Sequence, residues 1–287
     1  MKNKKNKRVA FIYDFDGTLA KGNIQENSFL PEIEMSKKDF WNETKELAKK
    51  HNMNEILAYM FLMLKKAREN GNVSINKNSI KKHGETVQYF SGVEEYFDRI
   101  NQYAKGKGIK LEHYIISSGT KEMIEGCSIY KHFKYVFASS YMYDADDIPQ
   151  WPALAIDYTA KTQFLFRINK GIENAWDNTE INKYIPEEDR PLPFSRMVYL
   201  GDGSTDIPAM KMINYQGGNS IAVYPPNTKK AKERIKENIL KGNRSTYIAK
   251  ADYRENSELY LILKSIIDNI SSLDKIANLK TTNLNKN

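Results

Sequence analysis

A single cysteine, Cys127, stands in 287 residues, so no intramolecular disulfide can form and a small disulfide-stapled domain is excluded. Zinc is disfavoured as well, because His51, His83, His113 and His132 are widely spaced and no cysteine pair accompanies them. No apolar stretch approaches the roughly 18 residues that suggest a membrane helix. The start, MKNKKNKRVAFIYDFDG, carries only VAFIY before its first acid, too little for a secretory leader. These absences lead to the expectation of a soluble, cytoplasmic chain in a reducing compartment, with no membrane partner.

What is present is ordinary for a globular protein. Hydrophobic residues make up 40% and charged residues 28%, which excludes disordered, collagen-like and coiled-coil chains. At about 150 residues per domain, the length implies one large domain or a domain carrying a sizeable insertion. The net charge of +8 looks informative until it is partitioned, since Lys2, Lys4, Lys5, Lys7 and Arg8 supply five of it. Such a Lys/Asn-rich run reads as a solvated end rather than a basic face, so no nucleic-acid partner is expected. Residues 274–287, rich in Asn, Lys and Thr, read as a flexible tail.

Residues 9–13 form a continuous apolar run stopped by Asp14 and Gly17, the pattern of a strand buried on both faces. Similar runs recur at 114–116, 135–137, 197–200 and 221–224, each ending in small or turn-forming residues. Helical patterns separate most of them, at 93–104, 120–133, 162–169, 205–213 and 228–240. This alternation predicts an α/β fold, a Rossmann-like parallel sheet covered by helices, with ligands beyond the carboxyl ends of the strands.

One segment breaks the alternation. Residues 22–90 carry no comparable strand signal and read as helices: Ser36 with Asp39 resembles a helix start, and the apolar stripe of 54–69 is stopped by Gly71. The expected division is therefore 1–21 for the basic start and first strand and 22–90 for a helical cap. The remainder is 91–273 for the core and 274–287 for the tail. A helical insertion directly behind the first strand is placed as a lid over that strand's end.

Four carboxylates fall at expected strand ends, Asp14 and Asp16 in DFDGT and Asp202 and Asp206 in GDGSTD. Brought together they would repel, and a hard divalent cation such as Mg2+ relieves that repulsion with oxygen ligands. Each piece alone has a plainer reading. Asp-Gly after an apolar run is a common turn, Ser117-Ser118-Gly119-Thr120 is an ordinary strand-to-helix connection, and a lone lysine is usually on the surface. The glycines of 201–206 also fail as a dinucleotide fingerprint, because Asp206 fills the third glycine position.

In order along the chain, however, the pieces match a family. DFDGTLA at 14–20 resembles the first motif of the haloacid dehalogenase-like hydrolases, and IISSGT at 115–120 their second. Lys161 in DYTAKTQ resembles their third motif and YLGDGSTD at 199–206 their fourth. A helical cap between the first and second motifs resembles the layout of the phosphoserine phosphatases.

The resemblance implies an Mg2+-dependent phosphatase. Asp14 would attack phosphorus and form an aspartyl-phosphate, and Asp16 would serve as acid and then base. Ser118, Thr18 and backbone N–H groups including that of Gly119 would bind the phosphoryl oxygens, and Lys161 would supply fixed positive charge. Asp14, Asp202 and the backbone carbonyl of Asp16 would hold the metal, with Asp206 orienting waters or Lys161 from behind. Ser117 competes with Ser118 for its role, and Lys121 and Lys170 compete with Lys161. The implied substrate is a small phosphorylated metabolite. Phosphoserine itself is the alternative, although the resemblance implies an acid shortly after the first motif to bind the substrate amine, and Asn23 sits near that place here, with Gln25 and Glu26 close by. A phosphate-binding regulatory module without turnover, and a nucleic-acid end phosphatase tethered by the Lys-rich start, are the remaining readings.

Overall fold

A computed structural model describes residues 7–71, 73–226, 233, 237 and 242–284. Among them are seven strands, β1 (Arg8–Tyr13), β2 (Lys110–Thr120), β3 (Phe133–Tyr143), β4 (Pro149–Leu154), β5 (Met197–Gly201), β6 (Asn219–Tyr224) and β7 (Tyr247–Lys250). They form one sheet in the order β4-β3-β2-β1-β5-β6-β7. Every pairing is parallel except β3 with β4, so the sheet is mixed rather than wholly parallel. The sequence pattern missed β4 because Pro149 and Pro152 remove ladder donors, which an edge strand tolerates.

The helices among the described residues are α1 (Phe29–Glu32), α2 (Lys37–His51), α3 (Glu55–Asn70), α4 (Lys77–Lys82), α5 (Val93–Gly106), α6 (Lys121–Glu125), α7 (Lys161–Lys170), α8 (Asn178–Asn182), α9 (Ile207–Tyr215) and α10 (Glu258–Leu284). Side chains alternate across β1, so Val9, Phe11 and Tyr13 join one core layer with α5 and α10, while Ala10 and Ile12 join a second with α7 and α9. The cap helices feed Phe40, Tyr59 and Met60 into the first of these layers.

Several expectations are corrected. A single helix over 120–133 is replaced by α6 and a 3-10 turn at Tyr130–His132. Gly126 lies so close to the Lys81 carbonyl that a Cβ there would overlap it, and the chain is used for close packing against α4 instead of another helical turn. The tail expected from 274 is helical as far as Leu284, and Asp274 is tied down by two bonds from Arg196 at 2.8 and 3.1 Å. Arg8 is no part of a solvated run, since it opens β1 and grips Glu112 at 2.9 and 2.7 Å. The helix expected at 228–240 falls, apart from 233 and 237, outside the described residues. No helix among the described residues is long and apolar enough to cross a membrane.

The cap starts as its capping chemistry dictates. The Ser36 side chain accepts from the Asp39 backbone N–H, and Asn54 does the same for Ile56 and Leu57. The cap is joined to the core by hydroxyl and amide donors: Tyr141 to the Met60 carbonyl at 2.8 Å, Asn54 to Asp157 at 2.7 Å, and Tyr59 to the Ser118 carbonyl at 2.6 Å.

His113 in β2 shows how tightly the sheet excludes charge. Its ring is held between the Tyr13 hydroxyl at Nδ1 and Asn101 at Nε2, both at 3.0 Å. Burial, with help from His132, pushes its pKa down to about 3. Since the folded value lies below the unfolded one of about 6.5, the stabilising effect is complete above pH 6.5 and is lost as pH falls towards 3, by a few kcal/mol at most. An imidazole NMR titration should find His113 neutral at pH 5, and protonation of this ring near pH 6.5 would contradict the account.

Candidate active site

The order in which parallel strands are added reverses at β1. The chain proceeds outward through β2 and β3 on one side and through β5 and β6 on the other, which opens a crevice at the carboxyl ends of β1, β2 and β5. The sequence places an acid or a hydroxyl at each of these ends. Asp14 follows β1 with its N–H on the Leu200 carbonyl at 2.8 Å, Ser118 lies near the end of β2, and Asp202 follows β5. Oxygens of Asp14, Asp202 and Asp206 consequently lie within 4.8 Å of one another.

Lys161 opens α7 and reaches the same point. Its side chain is 1% exposed, and the ammonium touches Asp14 Oδ1 at 2.9 Å and Asp206 Oδ1 at 2.7 Å. Burial alone would lower the lysine's pKa, but Asp14 and Asp206 more than reverse that, so the charge persists. Asp14 is pushed up to about 6 by desolvation, with Lys161 opposing and Asp206 adding to the rise. Of the competing lysines, Lys170 donates to the carbonyls of Ile181 and Lys183, and Lys121 lies 4.0 Å from Glu125.

A hard divalent cation fits this donor set, three carboxylates around one point with a single buried ammonium to balance them. Asp206 is heavily committed within it. Its Oδ1 accepts from Lys161 and from the Tyr199 hydroxyl at 2.7 Å, and its Oδ2 from the N–H groups of Asp202 and Gly203 at 3.1 and 3.3 Å. Asp206 thus holds the lysine and the strand-end loop in place within the three-carboxylate cluster. Gly17, at φ +72°, is needed here, because a Cβ would overlap the Asp202 carboxylate.

Asp16 is oriented differently. Its Oδ1 accepts from the Ile24 N–H at 2.8 Å, and its Oδ2 faces Gly119, where a Cβ would come within 3.0 Å. Desolvation, then the charge of Asp14, raises its pKa well above the usual carboxylate range. Asp16, Ser118 and Gly119 line one cavity of about 270 Å³, roofed by the cap residues Trp41, Ile56 and Tyr59. The buried Oγ of Ser118, in the cavity wall, and Oγ1 of Thr18 have no hydrogen-bond partner in the structure. Ser117 is engaged, its Oγ accepting from the Gly119 N–H at 2.9 Å.

Tyr199, Tyr59 and Tyr253 escaped the sequence reading. Tyr199 sits on a buried strand where a tyrosine reads as core, and only its hydroxyl, next to Asp206, marks it as part of the site. Tyr253 donates to the Thr18 carbonyl at 2.9 Å from 235 positions away, a contact with no local signal.

Comparison with known proteins agrees with this architecture. The family profile described as haloacid dehalogenase-like hydrolase matches residues 11–211. A protein of Borreliella burgdorferi described as uncharacterized is 29% identical over 284 residues, covering 90% of this chain and 96% of its own. Among solved structures, a phospho-aspartyl intermediate analogue of phosphoserine phosphatase superposes with a TM-score of 0.53 at 14% identity, over 90% of this chain and 98% of that one. A HAD family hydrolase from Salmonella enterica serovar Typhi gives 0.52 at 14% identity, over 79% of this chain and 65% of its own. At such identities these likenesses are likenesses of fold.

Proposed function

The chain belongs to the haloacid dehalogenase-like hydrolases, and from that membership we propose that it is an Mg2+-dependent phosphatase acting on a small phosphorylated metabolite through an aspartyl-phosphate on Asp14. The observation that carries the reading is Lys161 buried between Asp14 and Asp206, with Asp202 beside them. A fixed ammonium among acids suits a site that takes a phosphate dianion together with a cation.

Asp14 attacks phosphorus while the ester P–O bond breaks, and Asp16, whose pKa is raised by burial and by the charge of Asp14, gives its proton to the departing oxygen. Asp16, now a carboxylate, takes a proton from the water that attacks phosphorus next. The bond to Asp14 breaks, phosphate leaves, and both acids return to their starting forms. Ser118 and Thr18 donate to the phosphoryl oxygens through hydroxyls that have no other partner, and the N–H of Gly119 is kept on Ser117. Lys161 balances charge on the Asp14 side. Asp14, Asp202 and the backbone carbonyl of Asp16 would hold Mg2+, which when bound neutralises phosphoryl oxygens.

With Mg2+ the purified protein should hydrolyse p-nitrophenyl phosphate, lose that activity in EDTA and regain it when Mg2+ is restored. Absence of hydrolysis, with phosphate and Mg2+ still raising the melting temperature, would favour the binding-module reading instead.

A further inference from the structure

Resting on the phosphatase reading, we propose that the alcohol portion of the substrate is small, uncharged and hydroxyl-bearing, as in a polyol or sugar monophosphate, and that Gln25 selects it. The cavity is small, about 270 Å³ against the ~300–1,000 Å³ of pockets that take drug-sized ligands, which favours a small alcohol portion.

The chemistry of the buried end is neutral. Gln25 lines the cavity and is 1% exposed; its Nε2 reaches Thr120 Oγ1 only at 3.4 Å, and its Oε1 has no partner in the structure. A buried amide oxygen left unpaired is costly, and a ligand hydroxyl repairs it. The neighbouring acid is not available for a cation. Glu26 takes the Asn23 amide and the Trp41 indole N–H at 2.8 Å each and Lys37 at 3.0 Å, so it orients Asn23 and Trp41 in the cavity wall.

The wall beyond Asp16 therefore presents two primary amides together with the faces of Trp41, Ile56 and Tyr59. Charged side chains there are Lys45, which is exposed, and the half-buried Glu55, and they are of opposite sign. At the Gln25 amide, whose partner is the neutral Thr120 hydroxyl, a ligand hydroxyl is held without the loss of charge hydration that an ammonium or carboxylate would suffer there. A hydroxyl can donate to the unpartnered Oε1 of Gln25 and still accept from another donor. The carbon skeleton meets the rings of Trp41 and Tyr59, which pack edge to face at 5.9 Å.

The test is a comparison of kcat/KM, with Mg2+, for glycerol 1-phosphate, hexose monophosphates, O-phosphoserine, phosphoethanolamine and p-nitrophenyl phosphate. The best polyol or sugar ester should exceed both charged esters by at least about tenfold. Gln25→Met should lower that ester's kcat/KM about tenfold or more beyond its effect on the aryl ester. Gln25→Glu, which keeps the shape and adds a charge, should move preference towards phosphoethanolamine. Preference of the wild type for phosphoserine or phosphoethanolamine overturns the inference, as do equal losses on every ester in Gln25→Met, and both leave the phosphatase reading standing. Failure to hydrolyse any ester, the aryl one included, overturns both.

Discussion

Asp14→Asn should reduce hydrolysis of p-nitrophenyl phosphate by at least about a thousandfold. Asparagine keeps the size of the side chain and an oxygen that can accept from Lys161, but its amide is a poor nucleophile towards phosphorus. Losing about 4 kcal/mol of transition-state stabilisation already slows turnover a thousandfold. Stability moves the other way, which separates lost chemistry from lost folding. The pKa of Asp14 in the folded chain, about 6, lies above that of an unfolded aspartate. Above pH 6 the native state therefore carries a carboxylate that burial makes harder to ionise than in the unfolded chain, at a cost on the order of 3 kcal/mol without a cation. The variant should melt at or above the wild-type temperature at pH 8 in EDTA. Activity within tenfold of wild type would falsify the assignment of Asp14 as nucleophile.

Lys161→Met should be the most destabilising change in the site. It leaves Asp14 and Asp206 buried beside one another without their shared ammonium, and breaking a buried pair in this way costs about 3–5 kcal/mol. The pH dependence has a definite sign. Without the lysine the Asp14 pKa rises further, so between the unfolded value near 3.8 and the raised folded value the native state binds a proton that the unfolded state does not. Stability of the variant should then increase as pH falls from 8 to 5, more steeply than that of the wild type. Urea denaturation at the two pH values measures this, and added Mg2+ should restore part of the loss at pH 8. A variant as stable as wild type at pH 8 in EDTA would show that the three groups are not coupled as their distances imply. Turnover should fall as well, since the fixed charge beside the nucleophile is gone.

Much of the site was legible along the chain. The apolar runs at β1, β2, β3, β5 and β6 announce buried parallel strands, because burial on both faces demands uninterrupted apolar residues. Asp14, Ser118 and Asp202 stand where such runs end, and Gly17 and Gly119 mark the backbone that must pass close to them. Ser36, Asn54 and Gly71 punctuate the cap through bonds that span no more than four residues. These features rest on periodicity and turn chemistry, which act between near neighbours and so leave a mark in residue order.

The rest depends on how the layers assemble in three dimensions. Ser118 rather than Ser117 keeps an unpartnered hydroxyl, because the bend at the end of β2 turns Ser117 onto the Gly119 N–H. Lys161 rather than Lys170 meets Asp206, 45 positions further on, since α7 begins at the crevice and ends away from it. The prolines of β4 gave no strand signal until β3 supplied a partner. Gln25, Trp41 and Tyr59 become one wall only when the cap lies on the core. Such contacts join side chains whose separation along the chain carries no period, and they exist only after hydrophobic burial has chosen how the layers stack.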